Sequence, residues 1–153
     1  MTFSGFSIAR STTISAPPAE VFDLIVDLRS WERWNPNGRD DATVERTYGG
    51  AVRGAGATAA WRGGRSGAGR MEIVSATLSS EVVVIVDFER PMKARNRNTF
   101  TLAAPDSATT VTWAMQGPKP LIGRLLGLVF DMDKMMARHF DAGLAALKAI
   151  AET

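Results

Sequence analysis

The chain has 153 residues, of which 45% are hydrophobic and 22% are charged, with a formal charge of +2 and a pI near 9.4. This is the composition of a globular protein, and a domain of this size buries roughly two-thirds of its unfolded surface. The absence of cysteine excludes disulfides and thiolate chemistry, and arginines scattered among acidic residues disfavour nucleic-acid binding.

The first predicted elements are a strand at about residues 6 to 14 and a short helix. Pro17 and Pro18 lack the amide hydrogens that a first helical turn leaves unpaired, so the helix can begin there and run to about Leu28, with Ser15 as a candidate cap. Its apolar residues share one face: Val21, Phe22, Ile25 and Leu28. We therefore expect this helix to lie on an apolar surface.

Two tryptophans follow this helix, three residues apart. The spacing of Trp31 and Trp34 lets both indoles close one end of an interior. Two interpretations stay open, the rim of an opening and a structural plug.

Glycine-rich alternating segments after Pro36 predict six more strands: 41–48, 55–62, 69–78, 81–89, 95–104 and 108–116. Alternation places Val111, Trp113 and Met115 on one side of the last strand, and Asn98, Phe100 and Leu102 on one side of the strand before it. Residues 82–86 are apolar on both faces, which indicates a central strand. The short connections favour antiparallel neighbours, giving seven strands in all.

A long helical tract follows Gly117 and Pro118, with apolar residues every three or four positions. We expect the main helix at about 129–151 and a separate or bent turn at 121–128. The apolar segment LIGRLLGLVF, at 121–130, is interpreted as a fixed flap, a mobile lid or a membrane-surface contact. The element order predicts one α+β domain over residues 1–153. It consists of a curved seven-stranded antiparallel sheet wrapped around a long C-terminal helix, with two short helices after the first strand.

Four motifs carry a resemblance to a known family: ISAPPAEVFDLIVDLRSWERWNP at 14–36, GAGRMEI at 67–73, TVTW at 110–113 and FDAGLAALK at 140–148. The sequence resembles the START-like (SRPBCC) superfamily and, within it, the polyketide cyclase/dehydrase group. The resemblance covers nearly the whole chain and implies a helix-grip fold with a cavity between the long helix and the sheet. Its members include carriers of hydrophobic ligands, aromatic polyketide cyclases and co-chaperone domains.

Alternation and the helical stripe predict which side chains line such a cavity. The predicted wall is rich in methionine and aromatic residues: Trp34, Trp61, Met71, Ile73, Val84, Val86, Phe88, Phe100, Leu102, Trp113, Met115, Leu128, Met132, Met135, Met136 and Phe140. Methionine tolerates ligands of varied shape but also fills irregular gaps. A plain packed core is therefore the alternative interpretation for each of these residues.

Catalytic signals are weak. Cyclisation or dehydration needs an inward polar group, and we name Asn98 and Arg62 as candidates that could polarise a carbonyl, although an inward Asn is as readily a satisfied core group. Other polar strand residues are Thr58, Glu72, Asp87, Asn96 and Gln116, with Glu72 and Asp87 on the outer face. The lone His139 is expected at a boundary position on the helix. The glycines at 49–69 do not match a phosphate-binding loop.

Three functional hypotheses follow. The first is binding of a small hydrophobic ligand, lipid-like or aromatic and polyketide-like; the second is a cyclase or dehydratase without metal or nucleotide cofactor; the third is a co-chaperone-like interaction module. We expect no cofactor, no nucleic-acid partner, no stable membrane insertion and a cytoplasmic location, since nothing at the N-terminus resembles a signal sequence. A homodimer is left open.

Overall fold

The computed structural model describes residues 6–36, 43–63, 67–90, 93–117 and 132–153. Its sheet has seven strands: β1 (Phe6–Ile14), β2 (Glu45–Gly50), β3 (Ala57–Arg62), β4 (Ala68–Thr77), β5 (Glu81–Arg90), β6 (Ala94–Ala103) and β7 (Thr109–Gly117). All neighbours are antiparallel, in the order β1-β7-β6-β5-β4-β3-β2. The predicted α+β helix-grip fold is confirmed, and each strand lies within a few residues of its predicted bounds.

The helices pack on one face of this sheet. They are α1 (Pro18–Val26), a 3-10 turn (Leu28–Ser30), α2 (Trp31–Trp34) and the long α3 (Met132–Ala151). The predicted segment 121–130, with Leu128, lies outside the described residues. Within the part of the chain that is described, no helix is long and apolar enough to cross a membrane.

The start of α1 differs from the prediction in one detail. Its N-cap residue is Pro17, which makes no side-chain capping bond. The backbone N–H of Ser15 instead donates to Oε2 of Glu152 at 2.8 Å. Ser15 therefore ties the start of α1 to the end of α3 rather than capping α1.

The strand predicted to be central is central. β5 is the fourth of the seven strands. Its residues Val82 and Val84 are fully buried on the concave face, and Val83, on the opposite face, is 2% exposed. On the outer face Asp87 forms an ion pair with Arg95 at 3.1 Å, as its parity predicts.

The direction of α3 follows from its contacts with β1. Lys148 Nζ, near the C-terminal end of α3, donates to the carbonyl of Thr13 at 2.6 Å, and Thr13 lies at the end of β1. Asp141, two turns earlier, binds Arg10 in the middle of β1. The N-terminal end of α3 therefore lies toward the opposite end of the sheet, where the β3–β4 and β5–β6 connections are.

Candidate functional site

The concave face of the sheet is built of rows that cross the strands. The rows are numbered from the end of the sheet with the β3–β4 and β5–β6 connections. The first row is Trp61, Gly69, Phe88 and Ala94, and the second is Ala59, Met71, Val86 and Asn96. The third row is Ile73, Val84, Asn98 and Met115, and the fourth is Val82, Phe100 and Trp113. Successive side chains on one strand alternate between faces, so all of these point toward the helices.

Burial along these rows is graded. In the third and fourth rows, Ile73, Val84 and Phe100 are fully buried. In the first two rows, Met71 and Phe88 are only half-buried. Large apolar side chains of the concave face are thus more accessible toward the end with the first row. We define the mouth as the six residues at this end, which are Trp61, Met71, Val86, Phe88, Asn96 and Met136.

Met136 belongs to the mouth because of its place on α3. One helical turn later, the ring of Phe140 stacks on Trp113 of the fourth row. A turn of α-helix rises about 5.4 Å, slightly less than the roughly 6.6 Å between neighbouring rows, so Met136 lies about one row nearer to the opening than Phe140 does. It is half-buried against the core.

The inner end of the concave face is filled by aromatic rings. Trp31 and Trp34 are 4% and 0% exposed, with ring centroids 4.7 Å apart. Their indole Nε1–H groups donate to the carbonyls of Ile25 at 2.7 Å and Leu24 at 2.9 Å. Both rings also contact Phe100 edge to face. The burial and the hydrogen bonds of the tryptophan pair favour the structural-plug interpretation.

Trp113 links this plug to α3. Its ring lies 5.0 Å from Phe100 and 4.1 Å from Phe140, in both cases stacked. Its buried Nε1–H donates to Oδ1 of Asn98 at 2.9 Å. Gly143 makes this approach of α3 to the sheet feasible, because a Cβ there would lie 3.0 Å from Cζ3 of Trp113.

Polar contacts join the helices to the two edge strands of the sheet. On the β2 side, Tyr48 donates a hydrogen bond to Glu32 of α2, and Arg29 lies 4.4 Å above the Tyr48 ring. Burial, reinforced by the bond to Glu32, raises the pKa of Tyr48 well above its usual range. On the β1 side, Arg10 binds Asp141 of α3 through two hydrogen bonds of 2.8 and 2.9 Å. These contacts tie the helices to β2 and β1, the two edge strands of the sheet.

The predicted wall divides into two groups. The half-buried members are Trp61, Met71, Phe88 and Met136; the buried members are Trp34, Ile73, Val84, Val86, Phe100, Leu102, Trp113, Met115 and Phe140. The side chain of Met132 lies outside the described residues. Met135 is 45% exposed, so its expected place in the wall is wrong: it lies on the solvent side of α3.

The two catalytic candidates are not brought together. Asn98 is 4% exposed, and its Oδ1 is occupied by Trp113. Arg62 is exposed on β3, and β4 and β5 separate that strand from β6. At about 4.8 Å a strand, the separation of β3 and β6 is roughly 14 Å.

His139 is half-buried, as a boundary position requires. Its ring meets the Trp113 ring edge to face at a centroid distance of 6.2 Å. Burial lowers the pKa of His139 from its usual value of 6.5, so the neutral imidazole is favoured in the folded protein. Among the described residues, no group of three or more His, Cys, Asp or Glu side chains is arranged to hold a metal ion.

Asn96 is a polar residue of the mouth whose direction was not predicted. Asn96 is 8% exposed and shares the concave face with Asn98 and Phe100. Its Oδ1 lies over Gly117 of β7, where a Cβ would come within 2.1 Å of it. The parity of β6 would have identified Asn96 as inward, because it precedes Asn98 by two positions.

Comparisons with known proteins support the family resemblance. A family model described as polyketide cyclase / dehydrase and lipid transport matches residues 5–152. No curated protein matches the chain.

Solved structures share the fold at low sequence identity. Protein CV1439 from Chromobacterium violaceum has a TM-score of 0.71 at 16% identity, over 96% of this chain and 97% of that one. The Aha1 dimer from Colwellia psychrerythraea has a TM-score of 0.67 at 14% identity, over 96% of each chain. DynU16, a protein in the dynemicin biosynthetic locus, has a TM-score of 0.67 at 16% identity, over 96% of this chain and 47% of that one. At these identities the likeness shows the fold alone.

Proposed function

Because the chain belongs to the polyketide cyclase / dehydrase and lipid transport family, we propose that it binds a small hydrophobic ligand at the mouth, between the sheet and α3. The observation that carries this proposal is the burial gradient of the concave face. Ile73 and Val84 are fully buried, whereas Met71 and Phe88, one and two rows nearer to the opening, are half-buried. Covering such apolar surface with a ligand is favourable.

The side chains of the mouth suit a flat, ring-containing ligand. Trp61 and Phe88 meet edge to face with centroids 5.6 Å apart, so two aromatic rings lie together at the mouth. Met71 and Met136 add flexible, polarizable thioethers that adapt to the outline of a ligand. An aromatic or polyketide-like ligand therefore fits this surface better than a plain alkyl chain does.

A cyclase or dehydratase activity receives less support from the described residues. Catalysis of that kind needs polar groups within reach of one another and of the substrate. Asn98 is engaged by Trp113 in the interior, and Arg62 is exposed three strands away. We therefore place binding ahead of catalysis.

A co-chaperone-like role, self-association and a cytoplasmic location stay predictions. The dimer of Aha1 belongs to that protein, whose likeness to this chain extends to the fold. Size-exclusion chromatography with light scattering at two protein concentrations measures whether this chain associates with itself.

The proposal is tested by recovering and then adding ligands. Native mass spectrometry of the protein purified from its own host should show a bound small molecule. Thermal unfolding with a panel of neutral aromatic compounds should raise the melting temperature, since a ligand at 100 times its Kd stabilises by about 2.7 kcal/mol. If nothing co-purifies and no compound in the panel shifts the melting temperature, the binding proposal is wrong.

A further inference from the structure

The two inward asparagines of β6 have different surroundings although they lie two positions apart. Asn98, in the third row, has its Oδ1 bound by the Trp113 indole at 2.9 Å. The side chain of Asn96, one row nearer to the opening, forms no hydrogen bond to any residue that the structure describes, although the residue is only 8% exposed. A buried carboxamide without a partner costs free energy, so such a group calls for an explanation.

The unpaired polar atoms of the Asn96 carboxamide keep some contact with accessible space. In the described part of the chain, every side-chain nitrogen or oxygen that is wholly cut off from solvent has a partner, so the unpaired polar atoms of Asn96 must reach accessible space. Gly117 leaves room for the group, because a Cβ at that position would lie 2.1 Å from Oδ1 and 3.1 Å from Cγ of Asn96. The carboxamide therefore lies over the bare backbone of β7 at the apolar mouth.

The neighbours of Asn96 restrict what it can bind. The other five residues of the mouth are Trp61, Met71, Val86, Phe88 and Met136, and none of them carries a charge. An ionised carboxylate placed among these side chains would lose its hydration without gaining a counter-charge from them. A carboxamide offers one acceptor and two donors, which suits a neutral carbonyl or hydroxyl group.

From these contacts we infer that Asn96 recognises a neutral hydrogen-bonding group, a ketone or a phenol, on an otherwise apolar ring-containing ligand. This inference rests on the proposed binding function and specifies its substrate class. The rings and thioethers of the mouth supply non-directional affinity, whereas the carboxamide supplies the directional contact that orients the ligand. Neutral aryl ketones are favoured over free fatty acids by this arrangement.

The test compares two ligands of nearly equal shape, 2-acetylnaphthalene and 2-ethylnaphthalene, by isothermal titration calorimetry. The ratio of their dissociation constants in the wild type is compared with the ratio in Asn96→Leu, which keeps the approximate shape of the side chain but removes its polar atoms. We expect the change to cost the ketone about 2- to 12-fold relative to the hydrocarbon, the factor that one net hydrogen bond supplies. Gly117→Ala should also reduce the ketone preference, because its Cβ displaces the Asn96 carboxamide.

Thermal unfolding separates this role from a structural one. If the carboxamide has no partner within the protein, Asn96→Leu should raise the melting temperature by about 2–5 °C, because an unpaired polar group is replaced by an apolar one. A lower melting temperature for this variant would show that Asn96 supports the fold and would overturn the inference.

The binding measurements also distinguish the role of Asn96 from the proposed binding function on which it depends. An unchanged ligand ratio in both variants, with both ligands still binding, would overturn the role of Asn96 and leave the binding function in place. A wild type that binds neither naphthalene would overturn the two together.

Discussion

The indole of Trp113 and the ring of Phe140 lie face to face, with centroids 4.1 Å apart and planes inclined by 6°. This contact joins the sheet to α3 at the level of the fourth row. Both residues are almost completely buried. Aromatic pairs of this kind add about 0.5–1.5 kcal/mol to the free energy of burial.

Phe140→Ala should destabilise the protein strongly, because it removes a buried ring and leaves a cavity against Trp113. We expect a loss of about 3–5 kcal/mol in the free energy of unfolding, measured by urea denaturation. Phe140→Leu keeps most of the volume and should cost less. Equal losses for the two variants would show that volume is not what the stack contributes.

Gly143→Ala should also destabilise, although alanine favours helix over glycine by about 1 kcal/mol. Its Cβ would lie 3.0 Å from Trp113 and 3.3 Å from Pro36, and Trp113 is held between Phe100 and Phe140. The neighbouring Ala142→Gly, at an exposed position, serves as the control and should lose only the propensity difference. If Gly143→Ala gained as much stability as Ala142→Gly loses, the close approach would be irrelevant.

Asn98→Leu should cost about 1–3 kcal/mol, because it leaves the buried Nε1–H of Trp113 without an acceptor. Replacing both partners, in Asn98→Leu with Trp113→Phe, should cost less than the sum of the two single changes. Unfolding measurements on the four proteins of this cycle give the coupling directly. Additive losses would mean that the hydrogen bond contributes nothing.

Charge at the mouth should oppose binding. Met71→Lys places an ammonium group among apolar side chains of the concave face, and we expect the affinity for 2-acetylnaphthalene to fall at least about tenfold. Val74→Lys, on the same strand at a position 45% exposed, makes the same change outside the mouth and should bind normally. Met71→Gln repeats the test without a full charge if Met71→Lys does not fold. Equal affinities in all three variants would place the ligand elsewhere.

The pH dependence of stability should contain a contribution from His139. Its pKa is lowered in the folded protein, so below the unfolded value of 6.5 the unfolded chain binds the proton first and stability falls. Stability from this group should therefore decrease from about pH 7.5 toward pH 5.5, and His139→Gln should remove that part of the slope. Carboxylates such as Glu152 titrate in both proteins, so the difference between the two curves isolates His139. Parallel curves would contradict the assignment.

The sequence predicts the framework well and the depth of each residue poorly. The run at 82–86, apolar on both faces, identified the central position of β5, and alternation identified the inward face of β6, because side-chain direction depends on local periodicity. It could not separate Trp34, which fills the interior, from Trp61, which lies at the mouth. That difference depends on how α2 and α3 pack on the sheet, and long-range packing leaves no local pattern.

The same limit explains the two asparagines. Asn96 and Asn98 have identical parity on β6, but only Asn98 meets an indole donor, since the register with β7 places Trp113 diagonally across from it, opposite Phe100. A candidate site residue was therefore recognisable as inward from the sequence, whereas its partner was not.

Gly69 lies beneath the Trp61 ring, where a Cβ would come within 2.5 Å of the indole and 2.7 Å of the Asp87 carbonyl oxygen. The shape of the mouth at this point thus depends both on the lack of a side chain at Gly69 and on the large ring of Trp61. The two positions should change together during evolution: a relative with a side chain at the position of Gly69 should have a smaller residue at that of Trp61, together with a shift of the β5 backbone at the position of Asp87. Such paired exchanges would change the outline of the mouth among relatives that share the same fold. Relatives with different outlines could then bind different ligands.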